Sequence, residues 1–577
     1  MTSAIKTKSF FNSPLLVYTL AVAFIFTLGF FIHFGRQAQA SKSWQYVLGS
    51  GDDLFYWSVA KGRMMTPRCD GNPYYYEEQG LRHSVPCTTA EIVGLLSKYT
   101  GIPLSWFFPA WQILMPIFLW FVLTFCCWKF WGCPLSISAP GTLILLLSTL
   151  FRSYPEMLFR FPRNNDAVPL VFLWVTLIFK GDPNNKKHGV AIACVSSVAL
   201  WMQPFNAVFG LWITAFECVH ALIQGKALLK VRLCLIAMGS CLVSGLIYLG
   251  YMHYGNNLSH ILLSRKPLPP VPILYVSVAI SMFVFVVLTA LFFRFKRGVT
   301  ALDRLVMGWT LWGVFVCVVS TLFPSLRETS SHLFYFIFII LLSMAGWIYE
   351  KLRILQEVRL FTRFSYAFAI LLGALLLFSL ISRKNPLSIV HSHYFFFIAQ
   401  YFFVLLFFLF VLMRFSVLKQ WVMKEKILWG CILLMAVAGY GGLPVDETLR
   451  NYPFVGGFQW LKQHAQKNAV VLTASLKYKL CEHLFLSTGL KSYFFVCGEN
   501  DVNSSWRRDF VTGLLLGALD KMPRYEEWSL DQKLYAYRLD YIIMPKPSPF
   551  FAAVTNQLKE HLLEVYQDSQ CVLWRVL

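Results

Sequence analysis

Two adjacent carboxylates, Asp52 and Asp53, open the run Gly51-Asp52-Asp53-Leu54-Phe55-Tyr56-Trp57, which follows the first long apolar segment of the chain. A carboxylate pair beside a bilayer is costly unless it faces water, a cation or a partner, so its presence there points to a use. Inverting group transfer needs a carboxylate near the nucleophile and positive charge near a departing phosphate, because charge develops at both ends. On that reading Asp53, or else Asp52, is the general base that deprotonates an acceptor hydroxyl or amine, while the other orients it or binds a divalent cation. The alternative is helix capping ahead of Leu54. One Asp suffices for a cap, so the second argues for chemistry.

Other residues suit the same chemistry. Asp166 follows Asn164 and Asn165 at the head of an apolar run. It can share a divalent cation with Asp53, since oxygen ligands suit Mg²⁺ or Mn²⁺, and it can equally well cap the helix it begins. Glu156 is a weaker candidate in the same loop. Arg160, Arg163, Arg265, Lys266 and Arg327 fall in loops that the positive-inside pattern places on the outer face, where basic residues have no topological role. Guanidinium groups grip phosphate bidentately, which makes these residues a candidate phosphate clamp led by Arg327. Lipid headgroups are the competing partners, as is Glu328 for Arg327. Tyr56 and Tyr75 can stack on a sugar ring or belong to an interfacial aromatic belt. His260 and His332 are solvated or in contact with substrate.

The elements that must position these residues are membrane helices. The 577 residues are 57% hydrophobic and only 14% charged, with a mean hydropathy of +0.56, a composition outside the soluble globular range. The net charge of +22 would suggest nucleic acid in a soluble protein. Here much of the Lys and Arg sits in short loops between apolar segments, so nucleic acid is not expected as a partner. Apolar runs of bilayer length predict thirteen helices, near 15–34, 106–128, 137–152, 166–180, 188–204, 206–224, 231–252, 271–293, 304–323, 332–349, 364–382, 393–413 and 427–443.

A basic N-terminus followed by a run too long for a signal-peptide core places the start of the chain in the cytoplasm. Basic loops such as Lys226, Lys230 and Arg232, or Arg294, Lys296, Arg297 and Arg304, then fall inside as well. The outer face receives a first loop at 35–105, a second at 152–166, and the region 444–577, which follows a membrane domain of residues 1–443. In that last region Phe458 to Gln466 reads as a helix, and Ala469 to Thr473, Tyr541 to Met544 and Cys571 to Val576 read as strands, which predicts an extracytoplasmic α/β domain. The cysteines show no metal-ligand spacing. Cys69 with Cys87 and Cys481 with Cys497 are possible disulfides in an oxidising compartment, whereas Cys571 is a buried strand residue.

This layout, a first helix, an external loop opening on acidic residues, a many-helix bundle and an external α/β tail, resembles the GT-C superfamily. These are integral-membrane glycosyltransferases that take sugars from polyprenyl-phosphate carriers and include oligosaccharyltransferase subunits, aminoarabinose transferases and protein mannosyltransferases. The resemblance implies a polytopic α-helical fold and a catalytic carboxylate in the first external loop, matched here by Asp52 and Asp53. A second acidic motif in the second loop is matched best by Asp166. The WWD-type motif of oligosaccharyltransferases is not apparent after Leu443, which counts against en bloc transfer to asparagine.

The expectation is therefore a membrane glycosyltransferase moving a sugar from a polyprenyl-phosphate donor to a lipid, glycan or protein acceptor on the extracytoplasmic face, with a bacterial inner membrane as the first guess for its location. The rivals are a transporter or flippase of a lipid-linked sugar, an O-antigen polymerase or ligase, and an inactive scaffold of the same fold. A transporter would be expected to show charged or Gly/Pro-broken midplane segments and internal two-fold similarity, and neither is clear in this chain.

Overall fold

The computed structural model describes residues 14–41, 52–65, 88–148, 164–223, 228–253, 300–322, 421–442, 454–474, 480–492 and 539–577, with short pieces at 513–514, 529 and 532. The chain divides into two compact units. One comprises Met1–His33, Trp111–Gly250 and Arg265–Leu443; the other comprises Phe34–Ala110, Tyr251–Ser264 and Pro444–Leu577.

The first unit is a helical bundle. Its elements are the first part of α1 (Pro14–Ser41), most of α4 (Leu104–Lys129), α5 (Leu135–Ser148), α6 (Asn164–Lys180), α7 (Lys186–Met202), α8 (Pro204–Ile223), α9 (Leu228–His253), α10 (Ala301–Leu322) and α11 (Trp421–Gly442). Nine of the thirteen expected helices are found, as α1 and α4–α11; the runs at 271–293, 332–349, 364–382 and 393–413 lie outside the described residues. Four helices among the described residues are long and apolar enough to cross a membrane: Pro14–Gln39, Leu104–Lys129, Asn206–Ile223 and Lys230–Gly250. Their lipid-compatible exteriors carry exposed Val17, Leu20, Phe24 and Leu246, while Phe26, Trp120, Trp174 and Phe209 fill the interior.

Several buried polar groups inside the bundle find local partners, which lowers the cost of a dry interior. Trp120 Nε1 donates to the Ala139 carbonyl at 2.9 Å, the Thr124 and Thr142 hydroxyls meet at 2.6 Å, and Trp212 Nε1 donates to the Gly308 carbonyl at 3.1 Å. α7 ends at Gln203, whose extended backbone (φ −156°) leads into Pro204 at the start of α8. A residue before proline disfavours helical geometry and proline suits a helix's first position. Glu217 of α8, 2% exposed, accepts hydrogen bonds from Arg304 Nε at 2.8 Å and Nη2 at 3.0 Å and pairs with Lys230 Nζ at 3.5 Å. Lys230 also donates to the Phe179 carbonyl at 3.0 Å, so four helices meet at one ion cluster.

The second unit is built on a five-stranded sheet of order β2-β1-β3-β5-β4. Its strands are β1 (Val470–Thr473), β2 (Lys491–Ser492), β3 (Tyr541–Pro545), β4 (Leu562–Gln567) and β5 (Cys571–Val576). β1 runs parallel to β2 and β3, while β5 is antiparallel to β3 and β4. The three strands expected from the sequence are β1, β3 and β5. Alternation sends Val470, Leu472, Ile542, Met544 and Trp574 to one face against Val554 and Leu558 of α14 (Phe551–Leu558). The opposite residues, Val471, Ile543, Cys571 and Leu573, pack on Phe458 and Leu461 of α12 (Val455–His464) and Leu484 of α13 (Leu480–Thr488). Both faces are covered, which explains why β1 reads as continuously apolar. The same unit contains α2 (Asp52–Met65) and α3 (Thr88–Thr100) from the first expected loop.

Candidate active site

Asp52 and Asp53 are the first two residues of α2. The positive end of a helix dipole stabilises negative charge, so this position suits both the capping and the catalytic role proposed for the pair. Behind the acidic turn, Tyr56, Trp57, Val59 and Ala60 are buried, with exposures of 4%, 1%, 1% and 0%. Tyr56 is thus part of the packing that fixes the helix.

Two contacts hold α2 in the second unit. On one side lies α3, which turns Thr89, Ala90, Val93, Gly94 and Ser97 inward. A Cβ on Gly94 would run into the carbonyl oxygen of Ala60, so only glycine permits this approach. On the other side lies α13. Lys61 Nζ donates to the Leu486 carbonyl oxygen at 2.7 Å and stands 5.7 Å from the centre of the Phe485 ring. Leu486 is in the last turn of α13, where carbonyls lack intrahelical partners, so the ammonium caps that helix. Burial, and then the charge of Lys462, lower the Lys61 pKa to about 8. Gly489, at φ 83°, ends the segment beside the Met65 side chain.

Asp166 is in the first turn of α6, in the other unit. Cys481 lies in α13, and Cys571 is a free, buried thiol of β5 as expected. Its pKa is pushed up to about 12, first by burial and then by Asp568. Arg160, Arg163, Arg265, Lys266, Arg327, Tyr75, Cys69, Cys87 and Cys497 lie outside the described residues. Among the described residues no three His, Cys, Asp or Glu side chains gather to hold a metal ion. Sequence reasoning missed Lys61 as an anchor. A lysine within a buried helical run was the only signal, and its partner lies 425 positions away.

A helical bundle, a second unit carrying a mixed sheet, and an acidic turn at the head of the helix that follows the first apolar span are the features on which the sequence resemblance was drawn. The crystal structure of ArnT from Cupriavidus metallidurans bound to undecaprenyl phosphate is similar to this chain, with a TM-score of 0.50 at 12% identity over 97% of both chains. At that identity the likeness is one of fold. Comparison with protein-family models gives no match, and neither does comparison with curated protein sequences.

Proposed function

We propose that this chain is a membrane glycosyltransferase that moves a sugar from a polyprenyl-phosphate donor to a lipid, glycan or protein acceptor on the extracytoplasmic face. The observation that carries the reading is the place of Asp52 and Asp53 at the head of α2, after the first membrane helix, in a chain that shares its fold with a transferase structure holding undecaprenyl phosphate. Asp53 takes the proton of the acceptor as its oxygen or nitrogen attacks the anomeric carbon, and the carbon–oxygen bond to the carrier phosphate breaks. Asp52 orients the base. Arg327, with Arg160 or Arg163 and with Arg265 and Lys266, receives the charge of the leaving phosphate. Asp166 offers oxygen ligation of a kind that fits Mg²⁺ or Mn²⁺, a cation that would screen phosphate charge when bound. Membranes washed with chelator test that part alone.

The deciding experiment assays Asp52→Asn, Asp53→Asn and Asp166→Asn in membranes for sugar transfer from a radiolabelled polyprenyl-phosphate sugar. Loss of transfer in at least one well-expressed aspartate variant supports the reading. Normal expression of all three with unaltered transfer and unaltered cellular glycans removes it.

A further inference from the structure

The end of the bundle where α4 and α6 finish and α9 and α10 begin gathers more positive charge than its own carboxylates match. Its centre is Phe179, next to the last residue of α6. The Phe179 ring packs against Trp131 of the α4–α5 turn, with centroids 6.3 Å apart, and Trp131 Nε1 is fixed by donating to the Thr176 hydroxyl at 3.1 Å. Three cations surround this aromatic pair. Lys180 Nζ lies 5.2 Å from the centre of the Trp131 ring, Arg304 Cζ lies 5.8 Å from that of Phe179, and Lys230 Nζ donates to the Phe179 carbonyl at 3.0 Å. A fourth, Lys129, lies 3.6 Å from the centre of the Trp128 ring. Buried Glu217 is shared by Arg304 and Lys230 alone. Asp182 and Asp303, near in sequence, serve backbone N–H groups, those of Asn184 at 2.9 Å and Thr300 at 2.7 Å.

We propose that this end of the bundle binds the headgroup phosphate of an anionic phospholipid, with exposed Lys129 and Lys180 as its outer contacts and the less exposed Lys230 and Arg304 deeper. Depth argues for a lipid as the source of the phosphate. Two helices long and apolar enough to cross a membrane terminate here on cations, one ending at Lys129 and the other beginning at Lys230. A cation at the end of a span stands at headgroup level, and the indoles of Trp128 and Trp131 favour the same level. Surplus positive charge between helices at that level is matched by anionic headgroups. Loop lysines that only mark topology would attract an anionic leaflet diffusely. Here the ring contacts hold the Lys129 and Lys180 ammonium groups in place, which lowers the ordering cost of gripping one phosphate.

The test is native mass spectrometry of the full chain in detergent, titrated with phosphatidylglycerol and separately with phosphatidylcholine of the same acyl chains. Phosphatidylglycerol should fill one site ahead of phosphatidylcholine. Lys129→Gln and Lys180→Gln should each weaken it about fivefold, whereas Lys129→Arg and Lys180→Arg should keep it. Neither lysine holds Glu217, so these changes leave the ion cluster intact. Equal affinity for the two lipids, undiminished phosphatidylglycerol binding in the double Gln variant, loss of binding in the Arg variants as well, or displacement of the lipid by excess inorganic phosphate overturns the proposal. None of these readouts involves sugar transfer, so the lipid site and the enzymatic reading fail separately.

Discussion

The Lys61 ammonium donates to the Leu486 carbonyl oxygen at 2.7 Å and so ties the helix that begins with Asp52 and Asp53 to the end of a helix packed on the C-terminal sheet. Lys61→Met keeps the bulk and removes the tie. Its effect on stability is small at pH 7, because the relief of burying a charge beside Lys462 offsets the carbonyl left without a donor, each worth about 1–3 kcal/mol. Its effect on transfer is larger, because misplacing a reacting group by about 1 Å costs on the order of 100-fold in rate. A fall in kcat with little change in melting temperature, partly restored in Lys61→Arg, is the expected result. Equal losses of folded protein and activity would reduce Lys61 to a packing residue.

The same lysine gives a pH dependence. Its folded pKa, about 8, lies below the ordinary 10.5, so between those values the unfolded chain binds more protons at this site and stability rises with pH. Below pH 8 both states are charged and the burial penalty is constant; above 10.5 both are neutral and it is gone. The rise is on the order of 3 kcal/mol at most. Thermal unfolding of the parent should therefore show a climb in melting temperature between pH 8 and 10.5, relative to Lys61→Met, that the variant lacks.

The carboxylates make the sharpest functional difference. On the proposed reading, Asp53→Asn removes the base while keeping shape, and a loss of 10²–10⁴ in kcat, roughly that of a general base, is expected. Asp52→Asn should cost about tenfold if it orients its neighbour. Reversal of the two magnitudes in the transfer assay would exchange the roles of the two residues.

Nine apolar helices and the strands at Val470, Tyr541 and Cys571 were legible because long apolar runs and short buried β-branched runs carry their own signal. β4 was not, since Leu562–Gln567 is an edge strand with a half-exposed pattern that reads as loop. The grouping of α2 and α3 with the C-terminal sheet was also hidden, because it rests on Lys61, Gly94 and Gly489, whose partners are set by folding rather than by spacing. Lys230 and Arg304 were read as basic loop residues that mark topology; both also pair with Glu217, a contact that a loop count of basic residues cannot reveal.

Gly94 gives a test of the α2–α3 contact. Any side chain there meets the Ala60 carbonyl, so Gly94→Ala should destabilise by about 1–3 kcal/mol, as overpacking does, and Gly94→Val by more. A melting temperature unchanged in Gly94→Val would mean that the helices separate without cost. Gly101, which has open space around its Cβ position but φ 71°, should tolerate Asn better than Ala.

The Glu217 cluster separates two ideas about buried charge. Glu217→Ala leaves Arg304 and Lys230 without their shared carboxylate inside the bundle, and a loss of about 3–5 kcal/mol is expected from stranding buried charge. The triple variant Glu217→Met, Arg304→Leu, Lys230→Leu removes all three charges together and should regain most of that loss, because desolvation of the ions disappears along with their attraction. Melting temperatures of the single and triple variants in one detergent decide it. If the triple variant is no more stable than Glu217→Ala, the cluster contributes net stability rather than only tolerating its own charges.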